Sequence, residues 1–326
     1  MSSRPTIVTD LDFDPSSLQL LREAAQTDVL YFANREEFLN ALQGVEILCS
    51  YNLPDNLLER APDLRWLQYP GAGLDRLRSL KLLDPGSKII VTSASGIHVI
   101  QISEYVFGSM LMFNRSWPDM VRLQDRHIWP QQSSAYHLRQ RELADRTLGI
   151  IGLGSIGRRI AQLGRAFGMK VLGTHFSARG DEYDPDVDRV YPIANLHDLL
   201  SQSDYVVLSV PLTARTEKMI GEAELRAMPR HAYLVNIARG PIIDETALIR
   251  ALTEGWIAGA GLDVAVEEPL PADSPLFTAP NLILTPHISG ASDRYNERLA
   301  ALFADNLRRY RTGQPLINQY DPQKGY

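Results

Sequence analysis

Only one of the chain's 326 residues is a cysteine, Cys49, so no intrachain disulfide can form. It lies in the apolar run Val45-Glu46-Ile47-Leu48-Cys49, a setting for a buried structural thiol rather than a nucleophile. Long apolar runs are missing as well. No segment approaches the roughly 20 apolar residues that a membrane helix needs, and a membrane partner is not expected. Basic runs are missing too: 33 Lys and Arg stand scattered against 39 Asp and Glu, for a net charge of −6. That balance argues against nucleic acid as a partner and leaves a small molecule as the expectation. The start, Met1-Ser2-Ser3-Arg4-Pro5, shows no basic, apolar and small-residue succession of a secretory signal, so a cytoplasmic location is expected. His127 and His137 are too loosely spaced for one helical face, and with a single cysteine no metal site is expected.

What is present is a chain with 44% hydrophobic and 22% charged residues, long enough for two separately cored domains. Short apolar runs alternate with longer amphipathic stretches, the pattern of parallel sheets covered by helices. In the first part, Thr6–Thr9, Val45–Leu48 and Lys88–Val91 read as strands, and Ser16–Gln26 and Arg35–Gln43 as helices. In the second, six strands are predicted at Leu148–Ile151, Lys170–Gly173, Tyr205–Ser209, Tyr233–Asn236, Gly259–Asp263 and Leu282–Thr285. Six strands at this spacing make one complete dinucleotide-binding domain. The helical run Ile100–Phe113 marks a first crossing between domains near Gly96, and a second is expected after His287. Arg294–Arg311 has helical periodicity and stops at Gly313. Residues 1–98 with 288–326 are therefore expected to form one domain, and 99–287 the other. Between them, Trp117–Arg146 is rich in Gln, Arg, His and Trp, and reads as an oligomer contact or a solvated arm. A homodimer formed around it is the expected assembly.

Gly152-Leu153-Gly154-Ser155-Ile156-Gly157 follows a strand and opens a helix. In that context Gly152 permits a tight turn, Gly154 lets backbone approach a pyrophosphate, and Gly157 allows close packing. The N–H groups at Ser155 and Ile156 are placed to receive the anion. Cofactor choice is read at the end of the next strand, where an acid would bond the ribose hydroxyls of NAD. No acid stands there before Asp181; His175, Ser177 and Arg179 do, and they suit a 2′-phosphate, which favours NADP over NAD.

Arg239, Glu268 and His287 sit at or just beyond the ends of predicted strands, the edge at which open α/β sheets bind ligands. A guanidinium can hold a carboxylate in two places and polarise the neighbouring carbonyl, and an imidazole can pass a proton. From spacing alone each could equally be a surface cap or a salt-bridge residue.

Six motifs in order carry a resemblance over 145–326: Gly152–Gly157, Val210-Pro211-Leu212-Thr213, Asn236-Ile237-Ala238-Arg239-Gly240, Gly261-Leu262-Asp263-Val264, Glu268-Pro269-Leu270-Pro271 and Thr285-Pro286-His287. This part of the chain resembles the D-isomer-specific 2-hydroxyacid dehydrogenases. The N-terminal part is similar more weakly, at Gly71-Ala72-Gly73-Leu74-Asp75 and Ser95-Gly96-Ile97-His98. Arg294-Tyr295, Asn306–Tyr310 and the closing Gly325-Tyr326 resemble the glyoxylate/hydroxypyruvate reductase-like branch. Ala265-Val266 departs from the Phe-Glu often found after Asp-Val, leaving two adjacent acids, of which Glu268 precedes Pro-Leu-Pro as the family's catalytic acid does.

The resemblance implies two doubly wound parallel-sheet domains, a Rossmann cofactor domain inserted into a flavodoxin-like substrate domain. It implies hydride transfer between NAD(P)H and a small 2-keto or 2-hydroxy acid, with His287 as proton donor paired to Glu268 and Arg239 orienting the substrate. The substrate carboxylate would meet the N–H groups of Ala72 and Gly73, with Tyr51 and Tyr295 shaping the pocket, and Asp263 would hold the nicotinamide carboxamide. Val210, Pro211, Thr216, Ile237, Ala238, His287 and Gly290 complete the expected cofactor contacts. Two other readings share the fold. An NAD(H)-sensing corepressor would need partner-docking flanks, and a formate- or phosphonate-type dehydrogenase typically carries an amide at the place of Glu268.

Overall fold

The computed structural model describes residues 5–84, 86–131, 140–180 and 182–322. His137, Asp181, Gly325, Tyr326 and residues 132–139 of the Gln- and Arg-rich excursion lie outside the described residues. The chain forms two compact units, residues 1–98 with 291–326, and residues 99–290.

The first unit is built on five short parallel strands, β1 (Ile7–Thr9), β2 (Val29–Tyr31), β3 (Ile47–Cys49), β4 (Trp66–Gln68) and β5 (Ile90–Thr92). Their order, β2-β1-β3-β4-β5, is the flavodoxin-like one. Successive residues of a strand face opposite sides, so Ile7 joins one core and Val8 the other. Helices Pro15–Ala25 and Tyr295–Thr312 cover the first face, where Leu21, Trp66, Phe303 and Leu307 are buried together. Trp66 meets Phe303 edge-on at 5.4 Å and stacks on Tyr310 at 5.3 Å, while its indole N–H donates to Thr92 Oγ1 at 2.8 Å. The fully buried amide of Asn306 accepts the Ile317 N–H at 2.7 Å and donates to Gln68 Oε1 at 3.1 Å, which ties the C-terminal segment to this sheet.

The second unit has seven parallel strands, β6 (Thr147–Ile151), β7 (Lys170–His175), β8 (Arg189–Pro192), β9 (Tyr205–Leu208), β10 (Tyr233–Asn236), β11 (Gly259–Leu262) and β12 (Leu282–Leu284). The order is β12-β11-β10-β9-β6-β7-β8. From β6 this is the doubly wound Rossmann arrangement, reversing direction between β6 and β9. Apolar clusters fill both faces, one around Leu208, Leu234 and Leu248, the other around Val106, Ile150 and Val235. The seventh strand, β8, was not anticipated. It is a four-residue edge strand carrying Arg189 and Pro192, the composition that guards an exposed edge and hides it from a pattern search.

The second crossing falls after Gly290 rather than His287. Three contacts hold the extra residues: the N–H groups of Ile288 and Ser289 donate to the Asp263 carboxylate, and the Gly290 carbonyl accepts from Gln101 Nε2 at 3.0 Å.

Candidate active site

β6 ends at Ile151, and the chain turns through Gly152 to Gly154 into the helix Ser155–Ala166. Gly152 has φ +108°, and a Cβ there would lie 2.7 Å from the Ser209 carbonyl oxygen beyond β9, so only glycine makes this turn at the strand switch. A Cβ at Gly157 would run into the Gly152 carbonyl, which fixes how closely helix and turn pack. Gly154 differs: its φ is −77°, and a Cβ would meet nothing within 4 Å. No side chain caps this helix, and the first-turn N–H groups, including those of Ser155 and Ile156, have no intrahelical acceptors. An open approach in front of unpaired donors at a helix N-terminus suits a pyrophosphate.

Val210 and Pro211 follow β9 at the same edge, with Val210 packed behind Gly152. Thr216, expected among the cofactor contacts, lies in the loop that follows. It is fully buried, and its hydroxyl donates to the Pro211 carbonyl at 2.6 Å and accepts the Thr213 N–H at 2.8 Å. It shapes the loop. Ile237 and Ala238 follow β10 and are largely buried.

The turn that presents Arg239 is held by Asn236, whose Oδ1 accepts the Ala238 N–H at 3.0 Å and whose Nδ2 donates to the Arg239 carbonyl at 2.9 Å. Its place in Asn236-Ile237-Ala238-Arg239-Gly240 gives no sign of this positioning role. Beside it, a Cβ on Gly240 would collide with the Ala265 backbone, so the Arg239 turn rests directly on the segment leading to Glu268.

His287 follows β12 with φ +55°, an uncommon conformation for a residue with a side chain. Its N–H donates to the Asp263 carbonyl at 2.8 Å. Its ring Nδ1 lies 2.8 Å from Glu268 Oε2, and Glu268 Oε1 accepts the Ala265 N–H at 3.1 Å. Of the two adjacent acids, Glu268 therefore faces the imidazole and Glu267 is exposed. The two paired side chains are 38% and 28% exposed, so the pair is reachable. A carboxylate on Nδ1 fixes the ring and leaves Nε2 for proton exchange.

In the first unit, the Tyr51 hydroxyl is hydrogen-bonded to that of Tyr295, which donates to the Pro70 carbonyl at 2.6 Å. Burial raises both phenols above the usual tyrosine range. The N–H groups of Ala72 and Gly73 have no hydrogen-bond partner among the described residues. Tyr51, Tyr69, Arg76 and Leu77 line a cavity of about 250 Å³ in this unit.

Residues 107–289 match the model of the D-isomer specific 2-hydroxyacid dehydrogenase, NAD binding domain. The chain belongs to the D-isomer-specific 2-hydroxyacid dehydrogenase family. It is an NAD(P)-dependent hydroxyacid dehydrogenase. A glyoxylate reductase of Thermofilum pendens is 33% identical over 315 residues, covering 94% of this chain and 91% of that one. A family member from Aeromonas salmonicida superimposes with a TM-score of 0.84 at 34% identity, covering 98% of this chain and all of the other. An NADPH-dependent glyoxylate/hydroxypyruvate reductase from Sinorhizobium meliloti, solved with NADP and sulfate, gives 0.81 at 27% identity over 99% of this chain and all of that one.

Two further features of the dehydrogenase concern Asp263 and the loop after β7. Asp263 is 1% exposed and its carboxylate takes three donors, the Thr285 hydroxyl at 2.7 Å and the N–H groups of Ile288 and Ser289 at 2.8 and 2.9 Å. It thus anchors both flanks of His287. Thr285 also meets the hydroxyl of Tyr105 at 2.7 Å, a phenol that burial pushes up to about 12. Beyond β7, His175 Nδ1 lies 3.1 Å from Ser177 Oγ, and the N–H groups of Arg179 and Gly180 donate to the Glu182 carboxylate. Glu182 lies one residue beyond Asp181, past the position after β7 at which an acid would meet the ribose.

Proposed function

We propose that the enzyme reduces a small 2-keto acid of the glyoxylate or hydroxypyruvate type to the D-2-hydroxy acid, with NADP(H) preferred to NAD(H). The observation that carries this reading is the 2.8 Å pairing of His287 Nδ1 with Glu268 in a segment locked by Asp263. A bound nicotinamide cofactor supplies the hydride. His287 donates a proton from Nε2 to the substrate oxygen at C2, and the Glu268 carboxylate on Nδ1 holds the ring for that donation. Arg239 orients the substrate and offsets the charge that develops on that oxygen. The unpartnered N–H groups of Ala72 and Gly73 take the substrate carboxylate, and Tyr51, held by Tyr295, bounds the pocket.

His175, Ser177 and Arg179 support the NADP preference, since a ring nitrogen, a hydroxyl and a guanidinium are donors for a phosphate. A homodimer is supported by the helix Trp117–Asp125, which buries none of its residues, and by exposed Trp117, Val121, Ile128 and Trp129. A monomeric mass in light scattering would remove that assembly.

The test is loss of NADPH absorbance, and separately of NADH absorbance, on adding glyoxylate, hydroxypyruvate, pyruvate, phenylpyruvate or 2-ketoisocaproate. Oxidation should occur with the smaller acids, run faster with NADPH, and fall by roughly 10²–10⁴ in His287→Ala. No oxidation with any acid despite tight cofactor binding would refute the reading.

A further inference from the structure

The Glu182 carboxylate spans two consecutive backbone donors, one oxygen on the Arg179 N–H and the other on the Gly180 N–H at 2.8 Å. Consecutive N–H groups turned towards one point make a concave anion site, and here a two-oxygen anion of the chain itself sits in it. Gly180 has φ +94°, a backbone conformation that lets its N–H join that of Arg179. The site belongs to the loop after β7, two residues beyond Ser177, whose hydroxyl meets His175. The N–H of Arg179, then that of Gly180, and the nearby His175 hold the Glu182 carboxyl below the usual carboxylate range, so it carries its charge at neutral pH.

A phosphate on the adenosine ribose, received by His175, Ser177 and the Arg179 side chain, would bring negative charge beside this carboxylate and be repelled by it. A ribose hydroxyl brings no charge and needs no displacement. We propose that Glu182 is a specificity-determining residue that restrains the preference for a 2′-phosphate, leaving the enzyme able to bind both NADP(H) and NAD(H). The inference rests on the reading that His175 to Arg179 face the 2′ position.

The test is titration calorimetry of the whole enzyme with adenosine 2′,5′-bisphosphate and with 5′-AMP, ligands that differ at the 2′ position and require no turnover. Glu182→Gln keeps the size and an acceptor oxygen but removes the charge. Binding of the bisphosphate should tighten by roughly tenfold, with 5′-AMP unchanged within about twofold, and the gain should shrink at high salt. An unchanged or weakened bisphosphate affinity, or equal tightening of both ligands, would overturn the proposal. Arg179→Ala tests the underlying reading separately. If wild type binds the two ligands alike and Arg179→Ala changes neither, the loop does not face the 2′ position. If Arg179→Ala weakens the bisphosphate alone while Glu182→Gln has no effect, that reading stands and the role of Glu182 falls.

Discussion

Two glycines only two residues apart should respond to the same substitution in opposite ways. At Gly152, an alanine must adopt φ +108° and place its Cβ 2.7 Å from the Ser209 carbonyl oxygen and 2.8 Å from Val210 Cγ1. The left-handed backbone costs about 1–2 kcal/mol, and overpacking against backbone that cannot retreat adds about 1–3 kcal/mol. A loss of about 2–5 kcal/mol from this unit lowers its melting temperature by about 5–15 °C at the usual few degrees per kcal/mol. At Gly154, alanine has an allowed φ of −77° and nothing within 4 Å of its Cβ. The weaker helix cap and the reduced chain entropy of the unfolded state nearly offset each other, within about 0.5 kcal/mol. The added methyl group instead stands where a pyrophosphate would reach the helix N-terminus. Gly154→Ala should therefore melt within about 2 °C of wild type yet bind NADPH at least about tenfold more weakly, measured by differential scanning calorimetry and fluorescence titration. Wild-type NADPH affinity in Gly154→Ala, or a melting temperature as low as that of Gly152→Ala, would refute the assignment of this turn as the cofactor cradle.

Three other perturbations separate the proposed roles of Glu268, Arg239 and Asp263. Glu268→Gln, which keeps an acceptor for His287 but removes the charge, should lower kcat by about 10–100-fold with NADPH affinity unchanged, read by steady-state kinetics beside a binding titration. Arg239→Lys should lower kcat/KM by about 10–100-fold, because an ammonium cannot hold carboxylate and carbonyl together, and an unaltered kcat/KM would place Arg239 outside the site. Asp263→Ala strips the charged acceptor from the part-buried Thr285 hydroxyl and Ile288 N–H and from the buried Ser289 N–H, each lost bond costing about 1–3 kcal/mol, so the melting temperature should fall by about 10 °C or more.

The parts of this molecule that could be read from sequence are those where local pattern and final environment coincide. Tyr233–Asn236 and Tyr205–Leu208 are buried on both faces, so the apolar run itself is the signal. β2 and β4 carry no such mark: three residues each, Val29-Leu30-Tyr31 half exposed and Trp66-Leu67-Gln68 ending in an amide that pairs with Thr92 and Asn306. The place of β4 depends on partners 24 and 238 residues away from Gln68. The site divides in the same way. Arg239, Glu268 and His287 are legible because each sits beside glycine or proline at a strand end, and the resemblance singles out the second of two acids. The residues that hold them in place are less legible. Asn236 acts on its own turn through a side chain that sequence cannot aim, and Asp263 acts on backbone 25 residues later. His287 in particular needs its left-handed φ imposed from outside, through the Asp263 carbonyl on its own N–H and the Asp263 carboxylate on the next two. One aspartate thus holds the backbone on both sides of His287, whose ring Glu268 holds at Nδ1. Loss of Asp263 should therefore depress turnover as well as stability, and the turnover loss should persist at temperatures where Asp263→Ala remains folded by circular dichroism. Wild-type turnover in the folded variant would show that the strand end of β12 orients His287 without Asp263.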